Sequence, residues 1–323
     1  MSPKRDDSPR RPPTQPSLLR DGYLVIPSGL DHRHWRAELN RELASMPEFE
    51  PNATQHVGGG FAALANASSF HNPTVRRLRQ LARECALPHL RGLGYARFEV
   101  LIDRVLSRPP NTAPTAEAWH RDEAPRALRD DLVLGGWLNL DSRDQHLSCV
   151  PGSQLLRDAG RGGFAPIDKA EHAHWKARSR LVRVPPGHLL LFCENMVHEV
   201  LAARQPYTVQ RLFLGWRLTD AAAPLLPDID QLLDDQAVVP LKSGQVPRTY
   251  PKLWWTNHRA KLPPLAAQFV PRLRELRTVQ SGAAAGQQCW APLATLPSLR
   301  QLDALYAPYT AEERAMYRPQ AWE

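Results

Sequence analysis

The sequence has few of the features that mark secreted, disulfide-stabilised or membrane-spanning proteins. Its 323 residues include only four cysteines, which are far apart and form no Cys-x-x-Cys pair. This usage favours a reducing compartment. No apolar run approaches the roughly 20 residues that a membrane-spanning helix needs, and the first residues lack the apolar segment of a secretory signal. We therefore expect no membrane association and an intracellular, cytoplasmic protein, with the nucleus as the alternative compartment.

Blocks of like charge are also missing, although the formal net charge is +8. Residues 1–17 hold four basic and two acidic residues, and residues 221–323 hold eleven basic and nine acidic residues. Proteins that follow a phosphate backbone concentrate Lys and Arg in a patch or stripe. The spread of charge gives weak support to a nucleic-acid partner, which we retain only as an alternative to a small-molecule substrate.

Composition and pattern divide the chain into three parts. Residues 1–17 are charged and Pro-rich, with no apolar residue after Met1, so they cannot bury enough surface to become ordered and are predicted to form a disordered tail. Residues 18–220 carry regular apolar patterns and are predicted to form the principal domain. Residues 221–323 combine irregular Pro-rich sequence with helical patterns, and we expect a helical and irregular extension packed on that domain. Its last helix is predicted to begin at Thr310, because Thr310 and Glu313 have the spacing of a capping box.

The principal domain begins with helices and continues with strands. Asp31 is placed to cap a helix that ends near Met46, and Asn72 with Pro73 begins a second helix. Short apolar runs between turn residues then predict strands at 99–102, 132–140, 147–150, 181–184, 188–193 and 209–218. Most of these strands have no helical crossover between them. The pattern predicts a mainly β fold with flanking helices, organised as an antiparallel sandwich or jelly roll.

The motif Trp119-His120-Arg121-Asp122 carries the first indication of chemistry. Successive side chains of a strand alternate between faces, so His120 and Asp122 can point to the same side. An imidazole and a carboxylate so placed are two members of the 2-His-1-carboxylate triad that binds non-haem Fe(II). The motif is short and can arise by chance. It gains weight only if a later strand supplies a third ligand.

His198 is the best candidate for that ligand. It follows the turn and apolar strand 185–192, and it precedes Arg211 by thirteen residues. A guanidinium is well suited to bind the distal carboxylate of 2-oxoglutarate through two parallel hydrogen bonds. The spacing predicts two adjacent strands that present His198 and Arg211 to one pocket.

Other polar residues have simpler interpretations. His172 and His174 have ligand-like spacing but lie in a charged, helical segment, where residues two apart diverge, so we interpret both as solvated. His146, Asp141 and Asp144 are predicted to lie in a loop between strands and to stabilise turns. Taken alone, His198 is more often a satisfied polar residue than a ligand, and Arg211 alone could equally form a surface salt bridge.

Together these residues resemble the phytanoyl-CoA dioxygenase (PhyH-like) family of Fe(II)/2-oxoglutarate-dependent oxygenases. The resemblance covers about residues 18–220. Its segments, in order along the chain, are Asp21–Pro27, Trp119–Asp122, Gly136–Asp141 followed by Val150–Ser153, Pro186–His198, and Arg211. Three positions depart from the family pattern: Gln154 replaces a frequent His, His188 replaces the Asp of the Pro-Gly-Asp turn, and Val200 replaces a common hydroxyl-bearing residue.

The resemblance implies a double-stranded β-helix, which is a cupin-like jelly roll, with His120, Asp122 and His198 as ligands of Fe(II). It also implies 2-oxoglutarate and O₂ as co-substrates, with Arg211 binding the far carboxylate of 2-oxoglutarate. The expected reaction is hydroxylation of a small organic substrate, with succinate and CO₂ as co-products. Because Asp122 is present, the site lacks the vacant ligand position that related halogenases use for halide.

Two alternative functions remain open. The same chemistry could act on a macromolecule, because aromatic and basic residues of the C-terminal extension are available for base stacking and phosphate contact: Trp254, Trp255, His258, Arg259 and Lys261. The chain could instead be a cupin-like binding protein without enzymatic activity. The segments Gln55–Phe70 and Ser107–Ala118 are expected to shape the substrate pocket.

Overall fold

The computed structural model describes eleven segments of the chain, and these contain most of the predicted core. They are residues 17–45, 72–101, 105–108, 110–111, 118–122, 131–156, 165–201, 204–220, 236–239, 248–251 and 309–322. The predicted tail lies almost entirely outside them, as do the two loops expected to shape the substrate pocket for most of their length, and Trp254, Trp255, His258, Arg259 and Lys261.

A large antiparallel sheet forms one side of the fold. Its strands are β1 (Tyr23–Pro27), β2 (Arg97–Leu101), β3 (Val105–Arg108), β5 (Asp131–Asn139), β9 (His188–Cys193), β11 (Val209–Thr219) and β14 (Gln320–Ala321). The order across the sheet is β1-β9-β5-β11-β2-β14, and β3 pairs with the first half of β11. The long strands β5 and β11 pair along nine residues, from Arg211 opposite Asn139 to Thr219 opposite Asp131.

A second antiparallel sheet is built from shorter strands. These are β4 (His120–Arg121), β6 (Gln145–Cys149), β7 (Ala165–Pro166), β8 (Arg180–Val184) and β10 (His198–Glu199), in the order β7-β4-β10-β6-β8. One apolar core includes side chains from both sheets, such as Leu138 and Leu212 from the large sheet and Leu147 and Val184 from the small one. The predicted jelly roll is therefore confirmed, with its core between the two sheets.

Close packing within the large sheet explains one glycine of β5. A Cβ atom at Gly136 would lie 1.9 Å from the carbonyl oxygen of Leu190 on β9. No side chain fits at this position without separating the two strands. Gly136 thus allows β9 to pair closely with β5 in the centre of the sheet.

The helices begin where the sequence predicts. Helix α1 (His32–Ser45) follows Asp31, whose carboxylate accepts hydrogen bonds from the backbone N–H groups of Arg33 and His34. Helix α2 (Pro73–Arg91) follows Asn72, whose side chain accepts from two backbone N–H groups of the first turn. A short helix, α3 (His172–Arg178), precedes β8. Among the described residues, no helix is long and apolar enough to cross a membrane.

Residues 309–322 pack against α2 and the edge of the large sheet. Helix α4 (Ala311–Met316) begins with the capping box of Thr310 and Glu313 that the sequence indicates, and β14 then pairs with β2. The indole of Trp322 stacks on Phe98 with ring centroids 4.4 Å apart. A separate hairpin joins β12 (Gln236–Val239) and β13 (Arg248–Pro251). The division into three parts at residues 17 and 220 remains a prediction.

Candidate metal centre and its pocket

Two histidines meet across the small sheet. Strands β4 and β10 are antiparallel, and their register places His120 directly opposite His198. Both side chains are buried, and the ring centroids are 4.3 Å apart. Strand pairing therefore brings together two residues that are 78 positions apart in the sequence.

The backbone fixes the orientation of both imidazole rings. The Nδ1 atom of His120 lies 2.7 Å from the carbonyl oxygen of Ala118, and Nδ1 of His198 lies 2.9 Å from that of Met196. A carbonyl oxygen only accepts hydrogen bonds, so the neutral tautomer that suits each contact carries its proton on Nδ1. Each Nε2 atom is then left with a lone pair directed at the same space, as metal coordination requires.

Asp122 completes the group directly after β4. Its Oδ1 atom is 3.5 Å from Nε2 of His120, and its Oδ2 atom is 3.4 Å from Nε2 of His198. The ligand atoms of the three residues all lie within 4.8 Å of one another, and among the described residues this is the one group of three or more such side chains. Two imidazoles and a carboxylate converging on one point fit the donor set of a non-haem Fe(II) site with open coordination positions.

Arg121 connects the strands that carry the ligands, a role that the sequence did not reveal. Its buried guanidinium donates to the carbonyl oxygen of Ser153 at 3.0 Å and to that of Asn195. The Ser153 hydroxyl accepts from the backbone N–H of Val197 at 2.8 Å. The turn after Pro151, in which Gly152 has a φ of 82°, thereby supports the residue that precedes His198.

Arg211 lies in the same cavity as the three residues. The cavity has a volume of about 180 Å³, and its wall includes His120, Asp122, His198 and Arg211. The guanidinium carbon of Arg211 lies 4.6 Å from the centre of the Trp137 ring, and its buried Nε atom has no hydrogen-bond acceptor among the described residues. Burial, together with the neighbouring charge of Arg108, lowers the pKa of Arg211 to about 10, and the charge of Asp141 opposes part of this shift.

The prediction that adjacent strands carry His198 and Arg211 is wrong in one respect. Strands β10 and β11 follow each other in the chain, but β10 belongs to the small sheet and β11 to the large one. The ligand and the guanidinium therefore approach the cavity from opposite sheets. A jelly roll alternates between sheets at successive strands, so neighbours in sequence become opposite walls of the interior.

Other predicted residues do not join the cluster. His172 and His174 lie on α3, where His172 Nε2 contacts the carbonyl oxygen of Ile167 and His174 is exposed next to Arg178. His146 lies within β6 instead of a loop. Asp141 is buried, and its carboxylate contacts Arg36 and Gln145, so it does more than stabilise a turn.

Two of the three residues that depart from the family pattern, Gln154 and His188, make polar contacts in the structure. The side-chain amide of Gln154 donates to the carbonyl oxygen of Leu19 at 3.2 Å, and the backbone carbonyl of Gln154 accepts from the side-chain amide of Asn195. His188 contacts the carbonyl oxygen of Pro186 at 3.1 Å. Val200 lines the cavity and offers no hydroxyl there.

Comparison with known proteins yields a family and several similar folds. The sequence profile of the phytanoyl-CoA dioxygenase (PhyH) family matches residues 18–204. No curated protein sequence matches the chain significantly. Similar solved structures include the epimerase SnoN in complex with Fe3+, alpha ketoglutarate and nogalamycin RO, at 22% identity over 74% of this chain and 93% of that one, with a TM-score of 0.45.

Two further structures have similar folds. The carbocyclase SnoK from nogalamycin biosynthesis is 19% identical over 66% of this chain and 85% of its own, with a TM-score of 0.43. HygX from Streptomyces hygroscopicus, with nickel and 2-oxoglutarate bound, is 15% identical over 62% of this chain and 83% of its own, with a TM-score of 0.43.

Proposed function

Because the chain belongs to the phytanoyl-CoA dioxygenase family of Fe(II)- and 2-oxoglutarate-dependent oxygenases, we propose that it hydroxylates a small organic substrate. The co-products are succinate and CO₂. The observation that carries this proposal is the cluster of His120, Asp122 and His198, whose ligand atoms all lie within 4.8 Å of one another. A protein that only binds a ligand has no need of such a donor set.

In this proposal the two histidines bind the metal through Nε2, and Asp122 binds it through a carboxylate oxygen. The Nδ1 contacts with Ala118 and Met196 keep both rings in the metal-binding tautomer. These contacts also limit rotation of the rings, so the three donors are held in place before the metal arrives. Three protein donors leave coordination positions for the co-substrates.

Arg211 is the proposed partner for the far carboxylate of 2-oxoglutarate. It forms no ion pair or hydrogen bond with a described residue, and its flat guanidinium rests on Trp137. Contact with the Trp137 ring limits movement of the guanidinium, so its N–H groups can meet a carboxylate with a smaller loss of side-chain entropy.

Iron held by the three ligand residues would supply O₂-dependent chemistry, in which 2-oxoglutarate and O₂ are converted to succinate and CO₂ and the second oxygen atom hydroxylates a substrate C–H bond. The chain contributes binding, orientation and exclusion of water. Leu106, Phe192 and Phe213 provide apolar parts of the cavity wall. A cavity of about 180 Å³ suits a small molecule better than a macromolecular surface. The residues that motivated a macromolecular substrate lie outside the described part of the chain, so the preference for a small organic substrate rests on the size of the cavity.

The test is spectroscopic and needs no knowledge of the substrate. Anaerobic addition of Fe(II) and 2-oxoglutarate is expected to give a visible charge-transfer absorption band, because the keto and carboxylate oxygens of 2-oxoglutarate chelate the metal. Asp122→Ala is expected to weaken metal binding by more than about 100-fold, since it removes the only anionic donor. Succinate formation on admission of O₂ gives a second measurement.

Glu312→Ala is the matched control, because Glu312 is an exposed acid on α4 outside the cavity. It should leave the absorption band and succinate formation unchanged. An Asp122→Ala protein with wild-type iron affinity and turnover would refute the assignment. A wild-type protein that binds neither iron nor 2-oxoglutarate would favour the cupin-like binding protein instead.

A further inference from the structure

A second arginine, Arg108, shares the cavity with Arg211. Strands β3 and β11 are antiparallel, with Arg108 opposite Val209 and Leu106 opposite Arg211. Residues opposite each other, and residues two apart on one strand, have side chains on the same face of a sheet. Arg108 and Arg211 are thus diagonal neighbours on the face that lines the cavity, at a Cβ separation of roughly 7–8 Å. Two long side chains reach a common point from this distance.

Neither guanidinium has an ion-pair partner among the described residues, and the charge of Asp141 offsets only part of the lowering of the Arg211 pKa. Arg108 and Arg211 form no hydrogen bond or ion pair with one, and the buried Nε atom of each has no acceptor there. Burial lowers the pKa of Arg108, and burial together with the charge of Arg108 lowers the pKa of Arg211. Two like charges in a partly desolvated cavity repel each other, so the pair favours an anion between them.

The acidic residues near this pair have other partners. Asp141 accepts from the guanidinium of Arg36, the side chain of Gln145 and the backbone N–H of Gln210. Asp144 pairs with Arg183. Glu199, which lines the cavity wall together with Asp144 and the proposed metal ligand Asp122, accepts from the Ser148 hydroxyl at 2.9 Å. Among the described residues, no acid forms an ion pair with either arginine, which leaves room for the anion of a ligand.

We propose that Arg108 binds the far carboxylate of 2-oxoglutarate together with Arg211, so that two guanidiniums hold one carboxylate group. This inference rests on the proposed function. A carboxylate has two oxygens with about four acceptor positions, so it accepts hydrogen bonds from two guanidiniums at once. The arrangement makes Arg108 a specificity-determining residue, because it favours 2-oxo acids that carry a second carboxylate over those that end in an alkyl group.

Binding of two co-substrate analogues to the Ni(II)-loaded protein tests the role of Arg108. Titration calorimetry would compare 2-oxoglutarate with 2-oxopentanoate, which has the same chain length but no far carboxylate. Arg108→Gln is expected to weaken 2-oxoglutarate binding by about 10- to 100-fold, the range for loss of a charge-assisted hydrogen bond. It should leave binding of 2-oxopentanoate unchanged, which also shows that the variant is folded and metal-loaded.

Arg178→Gln is the matched control, because Arg178 is an exposed arginine on α3 outside the cavity wall, and it should bind both compounds as wild type does. Arg211→Gln should lose 2-oxoglutarate affinity by at least as much as Arg108→Gln. Wild-type 2-oxoglutarate affinity in Arg108→Gln, with loss in Arg211→Gln, would overturn this inference alone. Failure of the wild-type protein to bind 2-oxoglutarate would instead overturn the proposed function.

A co-crystal of the wild-type protein with Ni(II) and 2-oxoglutarate provides a measurement that does not depend on the folding of a variant. The inference predicts guanidinium nitrogens of both Arg108 and Arg211 within about 3 Å of the far carboxylate oxygens. An Arg108 side chain directed at solvent or at another ligand group would overturn it.

Discussion

Two groups of buried or half-buried arginines in the described part of the chain have surroundings that are opposite in kind. On helix α2, Arg76, Arg79 and Arg83 face the segment 309–322, which supplies a partner for each. On strands β3 and β11, Arg108 and Arg211 face the cavity and have no such partner among the described residues. The same residue type therefore contributes to packing in one place and to ligand binding in the other.

The partners on the α2 side are specific. Glu313 accepts two hydrogen bonds from Arg76, Tyr317 accepts one from Arg79 at 3.3 Å, and Gln320 accepts one from Arg83 at 2.6 Å. Arg76 also lies 4.1 Å from the centre of the Tyr309 ring. A buried charge is tolerated when it is paired and hydrogen-bonded. The cavity arginines lack this compensation, which is the expected condition of a binding site before its anion arrives.

The largest effect on stability is expected from Glu313→Ala. The substitution leaves the Arg76 guanidinium buried without its counter-charge, and breaking a buried pair in this way costs about 3–5 kcal/mol. Chemical denaturation of purified protein would measure the loss. Glu312→Ala, one residue earlier and exposed, should change the free energy of unfolding by less than about 0.5 kcal/mol. Equal effects of the two substitutions would contradict the packing role of the pair.

The double substitution Arg76→Met with Glu313→Leu should cost much less than Glu313→Ala. It removes both charges and fills the space with apolar side chains, so neither group is left unpaired. Replacement of a buried ion pair by apolar residues is often close to neutral, and we expect a change within about 2 kcal/mol of wild type. If the stability loss of the double variant equalled the sum of the losses of the two single variants, Arg76 and Glu313 would not act as a pair.

Arg211→Met is expected to reduce ligand affinity and to preserve stability, whereas Glu313→Ala is expected to reduce stability. The Met side chain keeps apolar contact with Trp137 and removes an uncompensated charge, so stability should be unchanged or higher by about 1 kcal/mol. Affinity for 2-oxoglutarate should nevertheless fall sharply. Calorimetry and thermal unfolding on one preparation would measure both properties. A decrease of about 3 kcal/mol or more in the free energy of unfolding would show that Arg211 stabilises the fold, as the arginines of α2 do.

The smallest expected effect is a change with pH in the contribution of Glu313 to stability. Burial alone would raise the pKa of Glu313, but hydrogen bonds from Arg76 and the backbone of Thr310 lower it below its usual value. Such a group contributes stability above its unfolded pKa of about 4.3, and this contribution is lost as the pH falls through the folded value. The stability difference between wild type and Glu313→Gln should therefore shrink below about pH 4. A constant difference from pH 7 to pH 3 would contradict the pairing.

Local features of the fold were predictable because they depend on neighbouring residues. Asn72 with Pro73 and Thr310 with Glu313 identify helix starts through contacts within one turn. The apolar run 188–193 and the turn residues before it predict the strand that the structure shows with the same bounds. The interior neighbours of Asp141 and the opposite placement of β10 and β11 were not predictable, because they depend on pairing between distant segments.

The sequence by itself determined the types of donor at the candidate site, through the His-x-Asp motif, a later His198 and an arginine thirteen residues beyond it. Only the tertiary structure shows that His120 lies opposite His198 and that Arg121 connects the segments that carry them. It also shows that Arg108 lies beside Arg211. The physical reason is that the spacing of residues along the chain predicts only the contacts that form within one turn or strand. Strand register between residues as distant as His120 and His198, which are 78 positions apart, is decided by the packing of the whole core.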